Sequence, residues 1–363
     1  MVIARCTQCM KLFTVGPVAC YPVVLEAMGR QMVSHRSKEY VDMHYETVGQ
    51  MQKMLETKNS VYLFSSSGTG FMEAAVKNCV AEKMIVCING SFGKRFAEVA
   101  MANGREAVKV VTELGEPVTP EMLGEALDAH PDAEAVAITH NETSTGLIND
   151  LPALTKVVKR HDKLCFVDGV SSMGGTEVKV DEWNIDIMFS SSQKCFGVPP
   201  GIGIGSVSRR ALDVSASMPN KGWYFDLMVW EKSHAAGKGT PMTSTIPQIA
   251  GLNAALLMID EMGGKQAYFD LYERRNTAIR EGIKEYGLDT FPLKGYESPT
   301  VSCISAPDGL SGPDIYNAMR GHGFELAQGY GDLKQATFRV GNMGWIPDGY
   351  IGEMLDALGR VVS

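Results

Sequence analysis

From residue 61 onward the apolar positions alternate between two periods. Short runs rich in Val, Ile and Phe occur at "VYLFSSS", "MIVCING", "AVKVV", "AEAVAITHN", "LCFVDGV" and "IDIMFSSS". Between most of them, "FMEAAVKNCVAE", "FGKRFAEVAMANG", "TPEMLGEALDAH" and "LPALTKVVKRH" space their apolar residues as one face of a helix. Buried strands separated by amphipathic helices predict an α/β fold with a mostly parallel sheet covered on both faces. The run "GIGIGSVS" follows Lys194 too closely for a helical crossover, so its strand is expected antiparallel to the one before it.

The pattern changes near residue 245. "IPQIAGLNAALLMIDEMGG" and "QAYFDLYERRNTAIREGIKEYG" read as two helices, the second long. "PTVSCIS", "GPDIYNAMRGHG", "FELAQG", "TFRVG" and "DGYIGEMLDALGRVV" then give a β-α-β-β-α order. The expected organisation is a large α/β domain over 14–247 and a smaller α+β domain over 248–363 that includes the long linking helix. Residues 1–13 form an N-terminal segment.

Composition narrows the function classes. At 363 residues, with 45% apolar and 21% charged positions, the chain can bury a large core. A formal charge of −8 disfavours binding to a phosphate backbone. No apolar run is long enough to span a bilayer, and no clear signal-peptide pattern is seen. Eight scattered cysteines fit reduced thiols, so a cytoplasmic protein is expected. Cys6-x-x-Cys9 lacks a second ligand pair at zinc-finger spacing and reads as incidental, and no metal is expected.

In an open α/β sheet, ligands bind beyond the carboxyl ends of the strands. Polar residues collect there five times. "SSSGTG", 65–70, joins a strand to a helix whose free N–H groups suit an anion, and it lacks the GK[ST] ending of a nucleotide loop. Its Ser and Thr are also ordinary helix caps. "THNETSTG", 139–146, is a second polar burst. Asp168 ends the apolar strand in "CFVDGVSS", Lys194 stands among small and apolar neighbours, and Arg339 interrupts "FRVGNMG". A lysine or arginine in apolar surroundings is costly unless its charge is used, paired or given up.

A phosphate cradle, a strand-end acid, a lysine and an arginine together suit pyridoxal phosphate and an amino-acid carboxylate. With "SGTG…EAA", "NGSFGKR", "HNETSTG", "VDGVSSMGG" and "SSQKCFGVPPG" in this order and spacing, the chain resembles the class V aminotransferases of fold type I. The resemblance runs from "FTVGPV" to "FRVGNMG" and implies a mostly parallel seven-stranded sheet, pyridoxal 5'-phosphate as cofactor, and a homodimer with sites at the subunit interface. It implies Lys194 as the Schiff-base lysine and Asp168 as the partner of the pyridinium nitrogen. Ser67, Gly68, Thr69 and Gln193 match the phosphate contacts, and Thr243 matches a residue reaching the phosphate from the second subunit. Phe92 matches the aromatic stacked on the cofactor ring, and Thr143 the hydroxyl facing its 3-oxygen. Arg339 matches the substrate carboxylate clamp, and Gly16, in "VGPV", the loop closing over the substrate.

The implied reaction is a ping-pong transfer of nitrogen from a small amino acid, alanine, serine or aspartate, to glyoxylate or pyruvate. "SHRSKEY" and "SSQKC" resemble the alanine–glyoxylate or serine–pyruvate branch. "ESPTVSC" and "FRVGNMG" also resemble the branch that uses 2-aminoethylphosphonate with pyruvate, which usually has Asn where this chain has Gln193. A cysteine desulfurase shares the fold and cofactor but needs a mobile nucleophilic cysteine, whereas Cys195 and Cys303 lie in segments that read as packed. A dinucleotide fingerprint is excluded because "GIGIG" does not open a helix.

Overall fold

The computed structural model describes residues 10–363, so the Cys6–Cys9 pair lies outside the described residues. In chain order the elements are β1 (Lys11–Leu12), α1 (Pro22–Met28), α2 (Lys38–Leu55), β2 (Ser60–Phe64), α3 (Gly68–Cys79), β3 (Lys83–Ile88), α4 (Ser91–Ala102), β4 (Glu106–Val111) and α5 (Pro120–Ala129). Then follow β5 (Ala135–Thr139), β6 (Asn141–Glu142), β7 (Leu147–Ile148), α6 (Leu151–Arg160), β8 (Leu164–Asp168), β9 (Ile187–Ser191), β10 (Gly203–Val207), α7 (Arg209–Ser217) and α8 (Leu227–Ala235). The C-terminal part contains α9 (Ile246–Glu261), α10 (Gly264–Lys284), β11 (Val301–Ser305), α11 (Gly312–Gly321), β12 (Phe324–Glu325), β13 (Ala327–Gln328), β14 (Thr337–Gly341) and α12 (Tyr350–Val362).

Seven strands form the main sheet in the order β2-β10-β9-β8-β5-β3-β4. Neighbours run parallel except at β10, which is antiparallel to both β9 and β2, as the short connection after Lys194 requires. Strands β5, β8 and β9 are buried at every position, whereas β4 at the edge is mostly exposed or half-buried. Successive side chains face opposite layers. Val136, Ile138, Cys165, Val167 and Met188 join one core with α2, α5, α6 and α9, whereas Ala135, Ala137, Phe166, Ile187 and Phe189 join the other with α3, α4 and α8. In the second core Phe71 of α3 stacks on Phe64, with ring centroids 4.0 Å apart and nearly coplanar rings.

Helix starts follow local chemistry. Ser37, Thr119 and Asp150 cap α2, α5 and α6 with side-chain oxygens, and Ser311 with Asp314 forms a full capping box on α11. Helix α10 bridges two cores: Tyr268 and Tyr272 pack with the large sheet, while Ile279 and Ile283 join Ile304, Phe338 and Val340 in the smaller core. The small antiparallel sheet has the order β11-β14-β13, which puts Arg339 on its central strand. The stretch "FELAQG" is split, with β12 pairing parallel to β1 and β13 pairing with β14. The N-terminal strand is thus sewn into the small core. Phe13 donates its N–H to the Glu325 carbonyl at 2.8 Å and accepts from Gly341 at 2.8 Å.

Helices α1, α2, α7 and α8 do not show in the apolar pattern. The buried face of α2 includes Tyr40, His44 and Thr47 beside its aliphatic residues, which dilutes a hydrophobic stripe. No helix among the described residues is long and apolar enough to cross a membrane.

The Phe71 stack gives a direct test of the second core. Phe71→Ala is expected to destabilise the protein by about 3–5 kcal/mol, read as a lower denaturant midpoint. A loss below about 1 kcal/mol would mean that α3 is held on the sheet by other contacts.

Candidate active site

All the parallel strands end at one edge of the main sheet, and the loops leaving that edge carry the charged residues noted above. Asp168 is the last residue of β8 and is 3% exposed. Three residues after β9 comes Lys194, 8% exposed, in a tight turn where Gly197 donates to the Lys194 carbonyl at 2.9 Å. The next residue is pinned by helix α10: the Cys195 carbonyl accepts from both the Tyr268 and the Tyr272 hydroxyl at 2.6 Å. The lysine side chain therefore leaves a backbone with little freedom to move.

The Lys194 ammonium donates to the Val15 carbonyl. Gly16 follows with φ +106°, and a Cβ there would lie 2.5 Å from the lysine Cδ, so the loop can cover Lys194 only with glycine. Burial lowers the lysine pKa from 10.5 to about 8, with the positive charge of Arg339 acting in the same direction. Burial raises Asp168 from 3.8 to about 7, against a hydrogen bond from the Val170 N–H. That bond, at 2.9 Å, uses Oδ1; the other carboxylate oxygen has no hydrogen-bond partner among the described residues.

Arg339, 5% exposed, reaches the same region from β14. Its Nε donates to the Gln328 carbonyl at 3.0 Å and its Nη1 to the Thr143 carbonyl at 3.0 Å, while Nη2 has no protein partner among the described residues. Thr143 carries its hydroxyl 2.7 Å from that of Ser171, in a buried network that includes Asn141 and Thr300. Ser67 stands as the N-cap of α3 but makes no side-chain cap bond, and Gly68 and Thr69 open that helix. Gln193 has a buried Oε1 with no hydrogen-bond partner among the described residues. Phe92 lies in the first turn of α4, half-buried. Thr243 does not join this cluster; it is exposed on the loop before α9.

The structure adds residues that the sequence pattern did not single out. Glu142 is fully buried, and one of its oxygens accepts from the N–H groups of Phe92 at 2.9 Å and Gly93 at 3.1 Å. The other oxygen accepts from the Ser144 N–H and hydroxyl, so the carboxylate caps α4 from the short strand β6. Burial raises its pKa while these bonds oppose the rise. Arg95 and Tyr330 stand beside Phe92. A lone acid inside the "HNETSTG" burst was the available signal for Glu142; Tyr330 had none, since its place depends on a contact between distant segments. Cys195 and Cys303 are buried, and burial pushes their thiols up to about 12 and about 11, so neither is poised as a nucleophile.

This arrangement offers an amine that sheds its proton near neutral pH, a buried acid, an anion-receptive helix start and a free guanidinium edge. The chain is similar to known aminotransferases over most of their length. The L-aspartate–glyoxylate aminotransferase of Paracoccus denitrificans is 30% identical, with 93% of this chain and 87% of that protein covered. The serine–glyoxylate aminotransferase of Methylorubrum extorquens is 31% identical over 92% of this chain and 86% of its own length. The crystal structure of an alanine–glyoxylate aminotransferase from Nostoc sp. superposes with a TM-score of 0.95 at 26% identity, covering 100% of this chain and 98% of that one. The profile of the family described as Aminotransferase class-V matches residues 21–329, and the chain belongs to that family of pyridoxal-phosphate-dependent transaminases.

Proposed function

We propose that this transaminase moves the amino group of a small amino acid, alanine, serine or aspartate, to glyoxylate or pyruvate in two half-reactions at one site. The observation that carries this reading is the buried Lys194 amine, its pKa lowered to about 8, within charge reach of Asp168 and Arg339. The activities named for the Paracoccus and Methylorubrum relatives support the substrate class.

The residues present fit pyridoxal phosphate. The uncapped start of α3 at Ser67, Gly68 and Thr69 and the unpartnered Gln193 oxygen lie where a phosphate would be held. The unbonded Asp168 oxygen suits a protonated ring nitrogen, Phe92 a stacked ring, and Thr143 the ring 3-oxygen. Bound there, the cofactor supplies an aldehyde for the amino group and a ring that accepts the electrons released at the donor Cα. Lys194, when neutral, holds and returns the proton at that Cα. The free Nη2 edge of Arg339 would orient the α-carboxylate of donor and acceptor in turn, and because the nitrogen would stay at the site after the first product leaves, the kinetics would be ping-pong. Gly16 and Val15 cover the lysine and keep water from it.

The functional unit in this reading is a homodimer. Thr243 is exposed and unused by its own chain's cluster, so it is free to reach a second copy. Nearby, α1, α2 and α9 line a groove of about 730 Å³ rimmed by Val23, Met32 and Leu257, exposed side chains that a second copy would cover.

The first test follows the visible absorption band of the loaded protein. Alanine, serine or aspartate should discharge it, and glyoxylate or pyruvate should restore it. Discharge by 2-aminoethylphosphonate alone would replace this reading with the phosphonate one.

Two further outcomes follow from the perturbed groups. Because the neutral amine attacks the aldehyde, loading of cofactor-free protein should speed up with pH and level off above about 8, the Lys194 value, rather than near 10.5. Asp168, raised to about 7, favours the cofactor-free fold fully below about 4 and loses that contribution as pH rises through 7. Asp168→Asn should therefore raise cofactor-free stability at alkaline pH by about 1–3 kcal/mol while weakening cofactor binding, as read by thermal melts and cofactor titration. A variant less stable at that pH would show that the carboxylate charge is compensated.

A further inference from the structure

At the mouth of the site two guanidiniums flank one aromatic ring. Tyr330, in the loop after β13, lies stacked against Phe92 with ring centroids 5.9 Å apart. The Arg339 guanidinium carbon is 5.6 Å from the centre of the Tyr330 ring. At the other end, Arg95 Nη2 donates to the Tyr330 hydroxyl at 3.1 Å, and its guanidinium carbon is 4.9 Å from the centre of the Phe92 ring.

Arg95 is half-buried and has no carboxylate within salt-bridge reach among the described residues. A guanidinium has five N–H donors, and here a single neutral hydroxyl is its hydrogen-bonding protein partner. Its charge nevertheless bears on both Lys194 and Asp168, lowering each, so it belongs electrostatically to the site. Its charge meets no protein anion among the described residues, so an anionic group arriving beside it finds donors that are available for a charge-assisted pair. Tyr330 supports this without competing for it: the hydroxyl steadies the fork, and the ring separates the two cations.

We propose that Arg95 receives a second anionic group on the amino donor, so that the preferred donor is a dicarboxylic amino acid. The α-carboxylate takes the free edge of Arg339, and the side-chain carboxylate takes Arg95 across the face of Tyr330. Alanine and serine leave Arg95 unused, and an aminophosphonate has one acid group for two cations. This rests on the aminotransfer reading above and selects among its donors.

The test uses full-length protein loaded with pyridoxal phosphate and a pair of unreactive probes, maleate and acetate, followed by the change in cofactor fluorescence. Arg95→Met should cut the preference for maleate over acetate by about tenfold to a hundredfold, the usual worth of a charged hydrogen-bonded pair. The kcat/KM ratio of aspartate over alanine should fall by a similar factor. Tyr330→Phe keeps the ring stack and removes the hydroxyl that steadies Arg95; its loss should be smaller and in the same direction. Equal losses for maleate and acetate, or a wild type that prefers alanine, would overturn the assignment. If no donor discharges the cofactor band while maleate still binds through Arg95, the donor reading fails and the second anion subsite stands.

Discussion

Much of this structure is organised around the difficulty of burying one lysine, with its pKa lowered towards neutral pH, and keeping it aimed. Lys194 sits where an ammonium is poorly solvated and where Arg339 repels it, so its proton is held loosely. The same burial would waste the amine if the side chain could turn away. Two tyrosine hydroxyls from α10 fix the following carbonyl, and the Val15 carbonyl receives the amine itself. Lys194, Asp168 and Arg339 come from three separate elements, each rigid by its own packing.

The main sheet makes that convergence cheap to achieve. Its alternating side chains bury two separate cores, so the strands are fixed from both faces and their carboxyl ends open along one edge. Polar residues placed at those ends do not disturb either core. A buried Glu142 is tolerated because four donors meet it, and in being met it sets the first turn of α4, where Phe92 begins. Gly90 belongs to the same arrangement, since a Cβ there would lie 2.4 Å from the Glu142 side chain.

How much of this was legible in the sequence depended on the range of the signal. The six main-sheet strands before Lys194 and the four helices between them showed because the strands form apolar runs, buried on both faces at the centre of the sheet and less so at the edge strand β4, and amphipathic helices interrupt them. Lys194, Asp168 and Arg339 showed because a charge inside an apolar run is anomalous on its face. Helix α2 did not, since His44, Tyr40 and Thr47 occupy its buried side. Nor did the partnership of Arg95 with Tyr330, which are 235 positions apart. Local periodicity carries no information about which distant loop will close against a helix. The split of "FELAQG" was hidden for a related reason: its first half answers to the N-terminal strand, its second to β14.

The N-terminal strand has a mechanical meaning of its own. The Phe13 carbonyl is tied to Gly341, two residues beyond Arg339 on the same strand, and the Val15 carbonyl is tied to the Lys194 amine. The two residues from Phe13 to Val15, which can span at most about 7 Å, therefore connect the strand that carries Arg339 to the Lys194 amine. Such a thread is too short to absorb slack. Lys194 and the strand that carries Arg339 are therefore held in register through one short stretch of chain.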